Sequence, residues 1–409
     1  MRVLTFGWEY PPKRNGGLGV ACYGLTRELL GSGIEVTFVM PRQQPVSGPG
    51  RFIFADIAEP VTSLEPAHSG PYYASESVVY VTTGLDGVRR PSGRRVIDEV
   101  YAFAEAARRI AKQEEFDIIH AHDWTSYLAG VVAKEVSAKP LILHVHATSF
   151  DQAAGDYVDP TVYDIERRSF AVADCIATVS DYTRRIVVEK HGASPEKVEV
   201  IHNGVDLAPV PHYHPPSLAE LKAAGKKIVL YHGRITIQKG VDYFVKAAKR
   251  VLTVEPNVIF VISGWGDMQE QVMRQVGESG LSEHVLFAGA LWEEERDRMY
   301  QTADLVVMPS VSEPFGLIPL EALHHGTPSV ISKQSGVGEV LPAALRVDFW
   351  DVEEMANKIA AGLRYPVLNQ QLVQEGRQQL LALTWQRVAV KVRALYERLL
   401  QLVRPAITP

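Results

Sequence analysis

Glu313 and Glu321 stand eight positions apart in the stretch SEPFGLIPLEAL, residues 312–323, on either side of a glycine. Ionised carboxylates accept hydrogen bonds from hydroxyls, and the free backbone N–H groups of a helix start receive anionic or hydroxyl-rich ligands. The spacing predicts a helix beginning near Gly316, so only Glu313 precedes it. The two acids then need not share a face and can grip two regions of one elongated ligand. Upstream, Arg234 and Lys239 in HGRITIQKG are two cations placed to neutralise a diphosphate. The plainer alternative for all four is solvated surface charge around ordinary strand–helix junctions.

A second set lies in the first half. Gly16 and Gly17 close the loop GWEYPPKRNGG ahead of an expected helix over 18–30, where a tight turn can present backbone donors to phosphate. Neither a dinucleotide fingerprint nor a P-loop spacing is present, and glycines at a turn are more often structural than ligand-binding. HAHDW places His122, Asp123 and Trp124 just past one expected strand, and HVHATSF places His146 past the next. An imidazole there can donate to a sugar hydroxyl or share a proton during transfer; a capping or core-lining histidine is the alternative. His144 is expected on the opposite side from His146, in a structural role. No compact third and fourth ligand with recognisable spacing accompanies these histidines, so no metal is expected.

Such groups need strand ends to hold them. Short apolar runs at 3–6, 34–40, 116–120, 140–144, 173–179 and 198–202 read as strands, with helices over 18–30 and 94–112 and another capped by Ser180. A second series at 227–231, 257–262, 284–288 and 305–308 alternates with helices over 241–254 and 297–303. The Pro-rich stretch 209–216 reads as a linker. Ligands of open α/β sheets bind outside the carboxyl ends of the strands, so two α/β domains facing across a cleft are expected. Their bounds are 1–206 and 207–379, followed by a crossover helix and tail over 380–409. The amphipathic run 385–402 is expected to pack across the interdomain seam.

Composition narrows the functional classes. The 409 residues exceed what one core usually organises, and 46% hydrophobic with 22% charged residues is ordinary globular usage. A net charge of -6 supplies no general drive toward nucleic acid or anionic membrane, and no basic track with stacking platforms is present. Two cysteines, Cys22 and Cys175, provide neither metal spacing nor a disulfide framework. Without a secretory-type leader or an apolar run of membrane-spanning length, a soluble cytoplasmic protein is expected.

Taken together, WEYPPKRNGGLG, HAHDW, HVHATSF, ATVSDYT, IHNGVD, HGRITIQKG, SGWG, SEPFGLIPLEAL and SKQSGVGEVL resemble, in order, the motifs of retaining glycosyltransferases of family 4, and more narrowly the bacterial and archaeal glycogen synthases. The resemblance implies the GT-B fold: two facing Rossmann-like domains, the first for the acceptor and the second for the nucleotide sugar, with a C-terminal helix returning toward the first. It implies that Glu321 holds the ribose hydroxyls, Glu313 the donor sugar, and Arg234 and Lys239 the diphosphate. Gly264, Phe315 and the backbone at Gly316 and Leu317 complete the donor site, and Gly17, next to Gly16, closes over the phosphates. His146 lies beside the donor sugar and Asp123 near the reacting centre. The implied co-substrate is a nucleotide diphosphate glucose, ADP-glucose or UDP-glucose, with no further cofactor, and the implied acceptor is the non-reducing end of an α-1,4-glucan. Two departures from the starch-synthase group are Arg14, where a lysine is usual, and the text after His146, which lacks the usual asparagine. The alternatives are a family 4 enzyme with another nucleotide sugar or a small or lipid-linked acceptor, and a noncatalytic sugar-binding module.

Overall fold

The computed structural model describes residues 1–12, 16–57, 64–65, 81–83, 89–91, 96–207, 216–291 and 293–403. The chain divides into two compact units, Met1–Gly204 with Trp385–Pro409, and Val205–Thr384. Arg14 and residues 209–215 of the expected linker lie outside the described residues.

The first unit holds β1 (Arg2–Phe6), β2 (Glu35–Met40) and β3 (Arg51–Phe54), then a small antiparallel sheet of β4 (Leu64–Glu65), β5 (Val81–Thr83) and β6 (Arg89–Pro91). It continues with β7 (Ile118–His122), β8 (Leu141–Val145), β9 (Cys175–Thr178) and β10 (Val198–Val200). The seven-stranded main sheet runs β10-β9-β8-β7-β1-β2-β3, with every pair parallel. Its central strands are buried along their whole length, which is why they read as continuous apolar runs rather than alternating ones. One face is covered by the helices Val96–Gln113, Trp124–Ser137 and Pro160–Val172. In the first of these, Ile97, Val100, Phe103, Ala104, Ala107 and Ile110 recur at three- and four-residue steps and are all buried.

The other face is covered by the helix Gly17–Gly31 and the C-terminal helix Trp385–Val403, whose Trp385, Val388, Ala389, Val392, Leu395, Tyr396 and Leu399 form one buried stripe. The last helix thus packs within the first unit's own core; its apolar stripe is spent on this sheet.

The second unit is a six-stranded parallel sheet, β13-β12-β11-β14-β15-β16, built from β11 (Lys227–His232), β12 (Val258–Ser263), β13 (Val285–Gly289), β14 (Leu305–Met308), β15 (Ser329–Ser332) and β16 (Leu345–Val347). In chain order this is 3-2-1-4-5-6, the doubly wound arrangement whose strand order reverses between β11 and β14. Ligands of such sheets bind beyond the carboxyl ends at that reversal. Val205 bridges Thr384, so the two crossings of the chain into this unit run side by side.

Two local differences from the sequence reading bear on the site. The strand expected over 116–120 runs to His122, which brings that residue into the sheet. The helix expected near Gly316 is Ile318–His324, because Gly316 has φ 100°, outside the helical region, and Pro319 suits the first turn.

Candidate active site

In the second unit the chemistry-bearing residues follow the ends of β11, β12 and β14. Beyond β11, Arg234 precedes a short turn, Ile237–Lys239, that leads into the helix Val241–Leu252. The Arg234 Nη2 donates to Gln238 Oε1 at 3.0 Å, while the Gln238 carbonyl accepts from Val311 N at 2.9 Å, so Gln238 ties the β11 loop to the β14 loop. Gln238 is buried and no sequence argument singled it out.

Lys239 and Glu313 meet directly. Lys239 Nζ donates to Glu313 Oε2 at 2.6 Å, and Ser310 Oγ donates to the same oxygen at 2.9 Å. Glu313 is also fixed through its backbone, its N–H donating to Gln334 O at 2.9 Å and its carbonyl accepting from Gly336 N at 3.0 Å. The side chains are 16% and 8% exposed, a largely dry pair in which each charge holds the other. The ammonium has three donors, of which this bond takes one, and Glu313 Oε1 takes part in neither of these two bonds.

Glu321 sits in the first turn of Ile318–His324. Its Oε2 accepts from the Tyr300 hydroxyl at 2.9 Å, and Arg296 Nη1 approaches its Oε1 at 3.8 Å. Both partners come from the helix Glu293–Thr302, which the sequence reading used only to deliver the chain to β14. Phe315 is buried and its carbonyl accepts from Val337 N at 2.7 Å, while Leu317 caps the helix with its backbone. A Cβ on Gly316 would stand 2.8 Å from Met308 Cε, so a side chain there would need Met308 to move. Gly264, just past β12, has φ 136°, and a Cβ on it would stand 1.8 Å from the Gly233 carbonyl oxygen. The β11 and β12 loops therefore touch backbone to backbone.

In the first unit, Gly16 is the residue before the helix Gly17–Gly31; among the described residues no side chain caps that helix, and Gly16 itself is extended at φ 169°. The histidines are the larger finding. His122 and His144 are in-register neighbours on the parallel strands β7 and β8. His120 Nε2 lies 3.2 Å from His144 Nδ1, His122 Nδ1 lies 3.0 Å from His146 Nε2, and His120 Nδ1 lies 2.6 Å from the Tyr396 hydroxyl. The rings lie face to face as well, His120 tilted 30° against His122 at 4.3 Å between centroids and His144 stacked on His146 at 4.5 Å. The expectation that His144 faces away from His146 is thus corrected: residues two apart on a strand share a face, and both rings belong to one buried ladder.

His120, His122 and His144 each bring a ring nitrogen within 4.8 Å of the others, a spacing in reach of a shared cation. Within this trio His120 Nε2 and His144 Nδ1 already bond each other at 3.2 Å and His120 Nδ1 bonds the Tyr396 hydroxyl, while His144 Nε2 is buried with no partner among the described residues. As described, the rings form two hydrogen-bonded pairs, His120 with His144 and His122 with His146.

Asp123 follows β7 at φ 59°, ψ 165°, a region almost confined to glycine that costs about 1–3 kcal/mol. The strained turn sends its carboxylate to the neighbouring strand end, where Oδ1 accepts from His146 N at 2.7 Å and Ala147 N at 3.2 Å. Burial pushes its pKa up to about 8, with Glu9 and Asp151 adding to the effect. Trp124, next in sequence, is fully buried at the start of its helix.

Burial sets a pH dependence for the fold. His120, His122, His144, His146, His191 and His232 are all held below 6.5 by burial, three of them to about 4, while Asp123 and Glu166 are raised to about 8. Below about pH 6.5 the unfolded histidines take up protons that the folded ones refuse, so stability falls with acid. Between about 6.5 and 8 the folded chain keeps protons on Asp123 and Glu166 that the unfolded chain has lost, so stability falls with base. Urea midpoints are expected to peak near pH 6.5; a midpoint flat below that value, or still rising above it, contradicts the buried neutral array.

Two parallel-sheet units, with their polar residues gathered past strand ends, are the frame of a GT-B glycosyltransferase. Residues 15–209 match Glycosyltransferase Family 4 and residues 218–379 match Glycosyl transferases group 1. The glycogen synthase of Mycobacterium tuberculosis is 27% identical over 409 residues, covering 97% of this chain and 94% of that protein. Among solved structures, sucrose-phosphate synthase from Thermosynechococcus elongatus superposes with TM-score 0.75 at 21% identity, covering 98% and 99% of the two chains. An Anabaena protein crystallised with UDP and glucose gives TM-score 0.72 at 16% identity, covering 97% and 100%. At those identities the two structures speak for the fold, which is GT-B. The chain belongs to the family 4 glycosyltransferases and resembles the glycogen synthases. No helix among the described residues is long and apolar enough to cross a membrane.

Proposed function

We propose that this glycosyltransferase moves a glucosyl unit from a nucleotide diphosphate glucose, ADP-glucose or UDP-glucose, to the non-reducing end of an α-1,4-glucan, with retention at the anomeric carbon. The observation that carries the donor assignment is the Lys239–Glu313 pair at 2.6 Å beyond the strand-order reversal. It sets a cation for the diphosphate beside an acceptor for sugar hydroxyls, each helping to orient the other. The glucan acceptor rests on the full-length likeness to the M. tuberculosis glycogen synthase. The bound UDP and glucose of the Anabaena relative support a nucleotide-sugar donor.

In this reading Lys239 and Arg234 stabilise the charge that grows on the departing diphosphate, the larger electrostatic contribution to the rate. The bond from C1 to the phosphate oxygen breaks as the acceptor oxygen bonds C1 from the same face, and the acceptor proton passes to the departing phosphate. Glu313 then holds the sugar through Oε1, and Glu321 receives ribose hydroxyls while Tyr300 fixes its rotamer. The family resemblance assigns Gly17 and Gly16, at the start of the helix Gly17–Gly31, to the phosphates, and Gly264, Phe315, Gly316 and Leu317 to the donor pocket. His146 bonds the donor sugar. Asp123 acts through it, as the group that clamps the His146 backbone. No enzymatic nucleophile and no metal enter this route.

A radiolabelled screen tests it, crossing ADP-glucose and UDP-glucose with glycogen, maltooligosaccharides and simple sugars. Label is expected on glycogen and maltooligosaccharides, removable from the non-reducing end. Label confined to simple sugars would reassign the acceptor, and binding without transfer from any donor would replace the enzyme with a sugar-binding module.

A further inference from the structure

We propose that His122 is a positioning residue for His146: its Nδ1–H donates to His146 Nε2 and so holds the His146 proton on Nδ1. The inference deepens the donor-site reading and rests on it. It stands on two observations. His122 Nδ1 and His146 Nε2 are 3.0 Å apart with rings 30° from coplanar, and a neutral N–H···N bond holds one proton between its two nitrogens. His146 Nδ1, in a residue 9% exposed, has no hydrogen-bond partner among the described residues. A buried imidazole nitrogen left unpartnered is costly unless a ligand completes it.

The neighbouring groups leave His146 little freedom. Asp123 Oδ1 fixes its backbone N–H and His144 stacks on its ring at 4.5 Å, so the direction of the His122 bond is what sets its tautomer, and the ligand chemistry selects that direction. A diphosphate sugar offers oxygens that accept and hydroxyls that do both. A proton on His146 Nδ1 suits every one of them, whereas a bare Nδ1 would be repelled by phosphate oxygen. His122 sits in the sheet as the in-register partner of His144, and a strand holds a side chain more precisely than a loop does.

The test uses the full-length enzyme labelled with ¹⁵N-histidine, with His146 resonances assigned by their loss in His146→Gln. The free wild-type enzyme is expected to show a protonated Nδ1 and an unprotonated Nε2 at His146; the opposite pattern overturns the proposal without any activity measurement. His122→Phe keeps a ring in the stack but no nitrogen, and is expected to lose this tautomer preference and to lower kcat about 10- to 100-fold through misplacement of His146, with little change in donor KM. His122→Asn, whose amide nitrogen takes the place of Nδ1, is expected to restore both. Should His122→Phe fail to fold, the wild-type spectrum and His122→Asn still decide. Unchanged His146 signals and unchanged kcat in a folded His122→Phe contradict the role. Full turnover in His146→Gln would instead remove His146 from the donor site while leaving the tautomer result intact, which separates the two claims.

Discussion

Lys239→Ala is expected to lower kcat/KM for the nucleotide sugar about a hundred- to a thousandfold, the range seen when one preorganised donor to a developing anion is removed. The size follows from the site's dryness. Lys239 and Glu313 are 16% and 8% exposed, so water substitutes poorly for the missing ammonium, and Glu313 loses the partner that orients it. Loss of the lysine also leaves a nearly buried carboxylate uncompensated, which costs stability. Urea unfolding of the same variant separates the two effects. The kinetic loss must persist at temperatures where the variant is fully folded. A folded Lys239→Ala with the kinetic profile of the parent would remove the pair from the donor site.

Gly264→Ala is expected to destabilise the second unit by roughly 3 kcal/mol or more. Two penalties add there. The residue sits at φ 136°, which L side chains rarely adopt, and a methyl would lie 1.8 Å from the Gly233 oxygen, a backbone atom that cannot rotate away. Relief requires the β11 and β12 loops to part, against the bonds that join them, Gly233 N to Ser263 O at 3.0 Å and Ile235 N to Trp265 O at 2.8 Å. Gly277, near the end of the helix Gln269–Glu278 with open space around it, is the control, since alanine there should be neutral or mildly stabilising. Chemical denaturation of both variants checks the pair. Equal midpoints for the two would mean that the loops are not in backbone contact.

Much of this was legible in the residues. The parallel sheets announced themselves because strands buried on both faces are continuous apolar runs, and β14 spans the four residues expected of it. Ser180 was readable as a cap, and its hydroxyl does accept from Thr183 N. The motif glycines and charged residues could be placed past strand ends without knowing what they touch.

Partners were harder. Nothing in spacing says that Lys239, 74 positions away, meets Glu313, or that Tyr300 and Arg296 reach Glu321, because each pairing depends on which strands are adjacent. Gln238 carried no signal, being an ordinary turn residue until the β14 loop packs on it. The histidine ladder did carry one. HAH and HVH each set two imidazoles on one strand face, and neighbouring parallel strands would bring the two pairs into contact. The sequence reading put His144 and His146 on opposite sides and so overlooked the ladder. Nor does spacing announce that the Asp123 carboxylate accepts from the backbone of the His146 loop.

The central claim is glycosyl transfer with retention from a nucleotide diphosphate glucose to an α-glucan. Its most direct test follows the reaction by ¹H NMR, with ADP-glucose or UDP-glucose, both α-configured, and a maltooligosaccharide acceptor. The account predicts a growing anomeric signal of a new α-1,4 linkage in step with release of the nucleoside diphosphate. A β-linked product, or nucleotide-sugar binding with no new glycosidic signal from either donor, would contradict it.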